Sequence, residues 1–217
     1  MNFEQARFNM IEQQVRTWEV LDQRVLDLIG AVPREDFVPE PYRRLAFSDT
    51  GIPLGYGEVM MAPRVEARML QSLDIGAADK ILEIGTGSGY VTALLARSGN
   101  QATSVEIRAE FAQRAEARLR LHDIGNVVIQ VANGIEGWER AGPYDAIAVT
   151  GSLPILSEVF QEQLRVGGRL FVIVGESPVM EARLITRVGR RAWASEALFE
   201  TDLPPLQGAP TPKRFVF

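Results

Sequence analysis

"ILEIGTGSGY", residues Ile81–Tyr90, decides the fold of this chain. A short apolar run carries an acidic residue, Glu83, near its end. Three glycines follow at alternate positions, Gly85, Gly87 and Gly89, and a helical pattern begins at Tyr90. Glycine lacks a Cβ and tolerates positive φ, so such a loop turns tightly from strand to helix and presents bare backbone at the strand's carboxyl end. A turn with no ligand would give up the chain entropy of three glycines without an evident folding need. Two ligands compete for the loop. A dinucleotide fingerprint wants G-x-G-x-x-G, with a pyrophosphate at the helix N-terminus. Here the spacing is G-x-G-x-G, and Tyr90 stands where the third glycine of that fingerprint would fall. A carboxylate just before the glycines would repel a pyrophosphate. It suits a ligand that carries an ammonium and a sulfonium, S-adenosylmethionine (AdoMet).

Working outward, strands alternate with helices. "KILEI" precedes the loop and "YVTALLARSG" follows it as a helix. "ATSVEI" is the next strand, followed by a helix over Ala109–Leu121. "VVIQV", "YDAIAV" and "RLFVIVG" are further strands, with a helix expected around Pro154–Leu164. This alternation predicts an α/β fold, a doubly wound, mostly parallel seven-stranded sheet with helices on both faces. "ARLITRVG" and "WASEALFET" read as a hairpin added at one sheet edge, and the closing stretch "DLPPLQGAPTPKRFVF" as proline-rich and irregular. Residues 1–75 read as a helical and loop-rich substrate-side extension, and 76–217 as the cofactor-binding core, together one compact unit. In the extension, Phe8, Ile11 and Val15 share a helical face, Asp22 can cap a second helix, and Pro63 can start a third. "SVEI" ends in Glu106, about twenty residues after the loop, where a carboxylate can accept from ribose hydroxyls and Ile107 adjoins it. Asn133 and Gly134, after the third strand, are placed to meet an adenine edge, although Asn133 also reads as an ordinary turn residue.

Composition narrows the chemistry. There is no cysteine, which excludes disulfides and thiol catalysis. The single histidine, His122, reads as a surface residue at a helix C-terminus, suited to the dipole there. A metal site and a Ser-His-Asp triad are therefore not expected. A formal charge of −5 argues against a nucleic-acid-binding surface. No apolar run resembles a signal peptide or a membrane span, so a cytoplasmic, membrane-free protein is expected.

Several stretches together resemble the protein-L-isoaspartate O-methyltransferase family: "VPREDFVPE", "IPLGYG", "ILEIGTGSGY", "VEI", "PYDAIAVTG" and "QLRVGGRLFVIVG". The resemblance implies an AdoMet-dependent carboxyl methyltransferase that acts on isoaspartyl sites in damaged proteins or peptides. It implies cofactor roles for Glu83, Gly85, Thr86, Gly87, Gly89 and Glu106, with Ile107, Asn133 and Gly134 beside them. It also implies that substrate is held by the N-terminal loops (Tyr56, Gly57, Val59, Met61) and by the loop after the fourth strand (Ser152, Pro154). Two departures stand out. The family's Q-T-I-S-x-P after the Gly-Tyr-Gly turn reads "EVMMAP" here, so Val59 replaces the threonine and Met61 the serine at the reacting centre. The family's Gly-Asp-Gly reads Ala132, Asn133, Gly134. Met60 is expected to be core packing and Met61 to face the transfer site; no residue is assigned a firm catalytic role.

The residues leave three readings open: an isoaspartyl carboxyl methyltransferase, a methyltransferase of the same fold with a more apolar acceptor, and a non-catalytic AdoMet-binding protein. A carboxylate nucleophile is ionised at neutral pH, its pKa being about 4, so no general base is required. Alignment and exclusion of water can suffice.

Overall fold

The computed structural model describes residues 2–212, and the expectation for the closing stretch from 213 onward lies outside them. The chain opens with α1 (Phe3–Met10), which continues through a wider π turn over Ile11–Val15. That change of pitch rotates the expected stripe. Met10 and Val15 are buried, but Phe8 is 59% exposed. α2 (Gln23–Ala31) is capped by Asp22, whose carboxylate accepts from the backbone N–H of Arg24. Two short strands not foreseen from sequence follow, β1 (Ile52–Gly55) and β2 (Glu58–Met60), paired antiparallel. Pro63 is the first residue of α3 (Pro63–Leu73), where its missing N–H costs nothing.

The sheet comprises β3 (Lys80–Ile84), β4 (Gln101–Glu106), β5 (Val127–Val131), β6 (Tyr144–Leu153), β7 (Leu164–Glu176), β8 (Val179–Gly189) and β9 (Ala192–Thr201). Its spatial order is β5-β4-β3-β6-β7-β8-β9. The first five strands in that order run parallel, and the β7–β8 and β8–β9 pairings are antiparallel, as the hairpin reading anticipated. Between β3 and β6 the order of connection reverses. In open α/β sheets that switch point is where a crevice opens beyond the strand ends.

Successive residues of a strand face opposite sides. Ile81 joins a core with Met10, Leu26, Phe37, Met69 and Leu94, so the N-terminal extension and the sheet share one apolar interior on this face. Leu82 and Ile84 join the core of the other face with Ile147, Phe160 and Leu170. α4 (Tyr90–Ser98) and α5 (Ala109–Leu121) cover the first face. The second face carries α6 (Glu158–Glu162), which is far shorter than the helix expected over Pro154–Leu164. Among the described residues no helix is long and apolar enough to cross a membrane.

Candidate active site

The glycine loop springs from β3 at the switch point. Gly85, Gly87 and Gly89 all have positive φ (99°, 52° and 84°), but for different reasons. A Cβ on Gly85 would lie 2.5 Å from Thr150 Oγ1 of β6, whose hydroxyl ties the loop down by donating to the carbonyls of Ile84 (2.9 Å) and Gly85 (2.5 Å). A Cβ on Gly89 would lie 2.8 Å from Ala115 Cβ, so this glycine lets α4 begin against α5 and does not face a ligand. A Cβ on Gly87 would meet Leu54 Cδ1 of the opposite side of the cleft at 3.1 Å.

A cleft opens beside this loop. Gly85, Gly87, Glu106, Ile107, Asn133 and Gly134, read from the sequence as cofactor contacts, all line it. Glu106 is buried at the end of β4. Its Oε2 accepts from the Gly87 N–H and its Oε1 from the Arg108 N–H, both at 2.9 Å. Those bonds orient the carboxylate and leave lone pairs for a diol. Ile107 is 39% exposed and gives an apolar wall. Asn133 Oδ1 accepts from the Ile135 N–H (3.1 Å), so the side chain does form a turn. That bond engages Oδ1 and leaves Nδ2 as the group of the amide that can donate to a ligand.

Glu83 and Thr86, like Gly89, do not line this cleft. Glu83 is fully buried under the loop on the α4 face, because strand alternation turns it with Ile81 and away from Ile84, which lines the cleft. Its Oε2 accepts from Thr92 Oγ1 and Ser104 Oγ, both at 2.5 Å, while Oε1 has no partner. Burial pushes its carboxyl up to about 8, against the two hydroxyls and with help from the nearby Glu106 charge. Thr86 is buried too, with Oγ1 2.5 Å from Ser104 Oγ.

The β1–β2 hairpin forms the opposite lip. Leu54, Glu58 and Val59 line the cleft, but Tyr56 does not. Tyr56 is 64% exposed at the hairpin tip, where its hydroxyl donates to Glu110 (2.9 Å) and Arg108 lies 4.2 Å from its ring centre. It clamps the lip to α5. Gly57 has a φ of 82° and nothing within 4 Å of an added Cβ, so its role is the turn itself. Burial raises the Glu58 carboxyl above its ordinary range, with Arg108 opposing. Met60 and Met61 are both buried. Both border a smaller cavity between the lip and residues 85–88, so the separation of the two methionines into core and site does not hold.

Ser152 and Pro154 do not contact the cleft. Ser152 is fully buried, and its polar atoms hold the C-terminal segment: Oγ donates to Leu203 O (2.7 Å), N to Pro204 O (3.0 Å), and its carbonyl accepts from Leu206 N (2.9 Å). That segment, which sequence reasoning missed, sends Leu206 and Gln207 into the cleft. A Cβ on Gly151 would lie 2.6 Å from Leu206 Cδ2, so this glycine admits the segment. His122 is not a surface residue. It stacks on Phe37 (5.4 Å between ring centres), with Nε2 3.4 Å from Asp36, and docks the N-terminal extension. Among the described residues no group of three His, Cys, Asp or Glu side chains could hold a metal.

A doubly wound sheet, a glycine loop at its switch point and a carboxylate at the end of the neighbouring strand define a nucleoside-binding domain of the methyltransferase type. The profile of the protein-L-isoaspartate(D-aspartate) O-methyltransferase (PCMT) family matches residues 5–200. A protein-L-isoaspartate O-methyltransferase of Rhodopseudomonas palustris is 38% identical over 201 residues, covering 92% of each chain. One solved protein-L-isoaspartate O-methyltransferase superposes with a TM-score of 0.80 at 23% identity, over 93% of this chain and 66% of that one. Another, a putative family member of Plasmodium falciparum in complex with S-adenosyl-L-homocysteine, gives 0.79 at 20% identity, over 95% and 99%. The chain belongs to the protein-L-isoaspartate O-methyltransferase family.

Proposed function

We propose that this protein transfers a methyl group from AdoMet to the carboxylate of isoaspartyl residues in proteins or peptides. The observation that carries the reading is one cleft in which the bare backbone of Gly87 and the anchored carboxylate of Glu106 face the β1–β2 lip. The residues present fit the cofactor. A side chain at Gly87 would intrude on the cleft, Glu106 keeps lone pairs for a ribose, and Asn133 Nδ2 and Ile107 offer an adenine a donor and an apolar wall. When bound, AdoMet supplies a methyl group already activated by its sulfonium.

The chain's own task is placement. Leu54, Val59 and Leu206 exclude water from the cleft, which strengthens every electrostatic contact inside it. The acceptor needs no base, since its carboxylate is already the nucleophile at neutral pH. On this reading Val59 and Met61 stand at the family's threonine and serine positions. Neither side chain can donate a strong hydrogen bond, so orientation of an isoaspartyl group falls to other residues. The same two side chains, with Leu54 beside them, favour a second reading in which the acceptor is more apolar. On the same reading the protein works in the cytoplasm. The test measures transfer of labelled methyl from AdoMet to isoaspartyl and ordinary aspartyl peptides. Transfer to the isoaspartyl peptide alone supports the first reading; AdoMet binding with transfer only to other acceptors replaces it with the second.

A further inference from the structure

Beneath the lip lies a carboxyl group that the cofactor cleft does not use. Glu66 is in α3, five residues after Met61, and its side chain is 2% exposed. Oε2 pairs with Arg34 Nη1, while Oε1 has no hydrogen-bond partner. Arg34 cannot turn to satisfy it. That guanidinium is fully buried, donates to the carbonyls of Ala46 (2.8 Å) and Met61 (2.7 Å), and sits 5.0 Å from the ring centre of Tyr90. The Tyr90 hydroxyl is buried and likewise unpartnered. Glu66 lines the smaller cavity, which has Val59 and Met61 on one wall and Gly87 and Ser88 on another. A buried polar atom left without a partner is costly, and such atoms mark places where a further group is expected.

We propose that Glu66 is a positioning residue for the methyl acceptor, donating a hydrogen bond from a protonated Oε1 to one oxygen of the acceptor carboxylate and leaving the other oxygen free to attack. The proposal rests on the isoaspartyl reading above. Two carboxylates in contact cannot both stay ionised, and the single cation beside them, Arg34, is shared. The charged and titratable groups around Glu66 are few. Arg34 faces it from the turn Arg34–Asp36, and Tyr90 from the start of α4. The Arg7–Glu35 pair lies within electrostatic reach of Tyr90, and the loop adds only the hydroxyls of Thr86 and Ser88. Burial already holds the Glu66 carboxyl up near 7, against the pull of Arg34. In the transfer, a bond forms between the free acceptor oxygen and the methyl carbon as the methyl–sulfur bond breaks and its electron pair stays on sulfur. Glu66 keeps its proton throughout, so no further reactant is needed. A hydrogen-bond donor is thereby restored where Val59 and Met61 offer none.

The test is calorimetry of an isoaspartyl peptide binding to enzyme saturated with S-adenosylhomocysteine at pH 8, in two buffers of different ionisation heat. The parent should take up about 0.5–1 proton per peptide bound. Glu66→Gln should take up about none and keep its affinity within about threefold, because the amide still donates. The parent alone gives a second reading: kcat/KM should fall up to about tenfold per pH unit above pH 7, and Glu66→Gln should flatten that limb. Equal proton uptake and equal pH profiles in parent and variant would overturn the role of Glu66 while leaving the isoaspartyl reading intact. If the parent binds S-adenosylhomocysteine yet neither binds nor methylates isoaspartyl peptides, the acceptor reading falls and this inference with it.

Discussion

Removal of the Glu106 carboxylate tests the cofactor site most directly. In the folded chain Glu106 accepts two backbone N–H bonds at 2.9 Å, from Gly87 in the loop and from Arg108 at the cap of α5. Each hydrogen bond to a charged group is worth about 1.5–3 kcal/mol, so Glu106→Ala should lower stability by up to roughly twice that, less whatever entering water recovers. The ribose contact is a separate loss of about 1.5–3 kcal/mol, which is about 10- to 150-fold in the AdoMet dissociation constant. Glu106→Gln separates the two effects. It keeps one oxygen for a backbone N–H and turns an NH2 toward the other donor, so its stability loss should be about half that of the alanine variant. The assay is calorimetric AdoMet affinity beside a urea midpoint for parent and both variants. A dissociation constant within about threefold of the parent, with a lowered midpoint, would show that Glu106 only braces the loop.

Five further outcomes rest on the geometry. Gly89→Ala should destabilise the fold by about 1–3 kcal/mol, because its Cβ would meet Ala115 at 2.8 Å with φ at 84°; thermal melting reads this. Gly87→Ala, whose only close neighbour would be Leu54 at 3.1 Å, should instead weaken AdoMet by at least about tenfold with a smaller loss of stability, read by calorimetry and melting together. Val59→Thr with Met61→Ser should raise isoaspartyl transfer by about tenfold, one positioning contact beyond that supplied by Glu66, at nearly unchanged AdoMet affinity. Leu206→Ala should weaken AdoMet by roughly tenfold, since about 1–2 kcal/mol of apolar contact within the cleft is lost, whereas Ser152→Ala should cost only about 1 kcal/mol of stability.

The elements that were legible from sequence are those with strong local patterns. α5 and β5 have the predicted bounds, Ala109–Leu121 and Val127–Val131, because a long amphipathic helix and a run of β-branched residues carry their own signals. The glycine loop and Glu106 were legible because backbone approach demands glycine and a strand end demands little else. What was missed depends on partners distant in sequence. β1 and β2 have four and three residues, too few for a period to show, and the hairpin is held by Tyr56 reaching α5. Glu83 carries the motif's acidic signal, yet alternation along β3 turns it inward to Thr92 and Ser104. The proline-rich C-terminal segment reads as irregular, and only its bonds to Ser152 bring Leu206 into the cleft. Glu66 reads as an ordinary polar helix residue until Arg34 is found buried against it.

Glu83 also sets the pH dependence of stability. Its folded carboxyl is pushed up from 4.5 to about 8, chiefly by burial. Between those two values the folded chain holds more protons at this site than the unfolded chain does, so stability must fall as pH rises. The contribution is fully present below about pH 4.5 and is lost through about pH 8. Glu66, pushed up from 4.5 to about 7, acts with the same sign over a lower window. A surface carboxyl such as Asp22, drawn down by its hydrogen bonds with Arg24, acts in the opposite direction and only in acid, where its stabilisation is lost as pH falls. Several kilocalories per mole is the upper bound from Glu83, at about 1.4 kcal/mol for each pH unit that separates the folded and unfolded carboxyl, because relaxation and entering water reduce it. Urea midpoints at pH 6 and pH 8.5 should therefore decrease in the parent. Glu83→Gln cannot ionise and should show a clearly smaller decrease, while Glu83→Gln with Glu66→Gln should be nearly flat. Equal decreases in the parent and the double variant would mean that both carboxyls ionise freely in the folded chain, and the buried, protonated state assigned to them would be wrong.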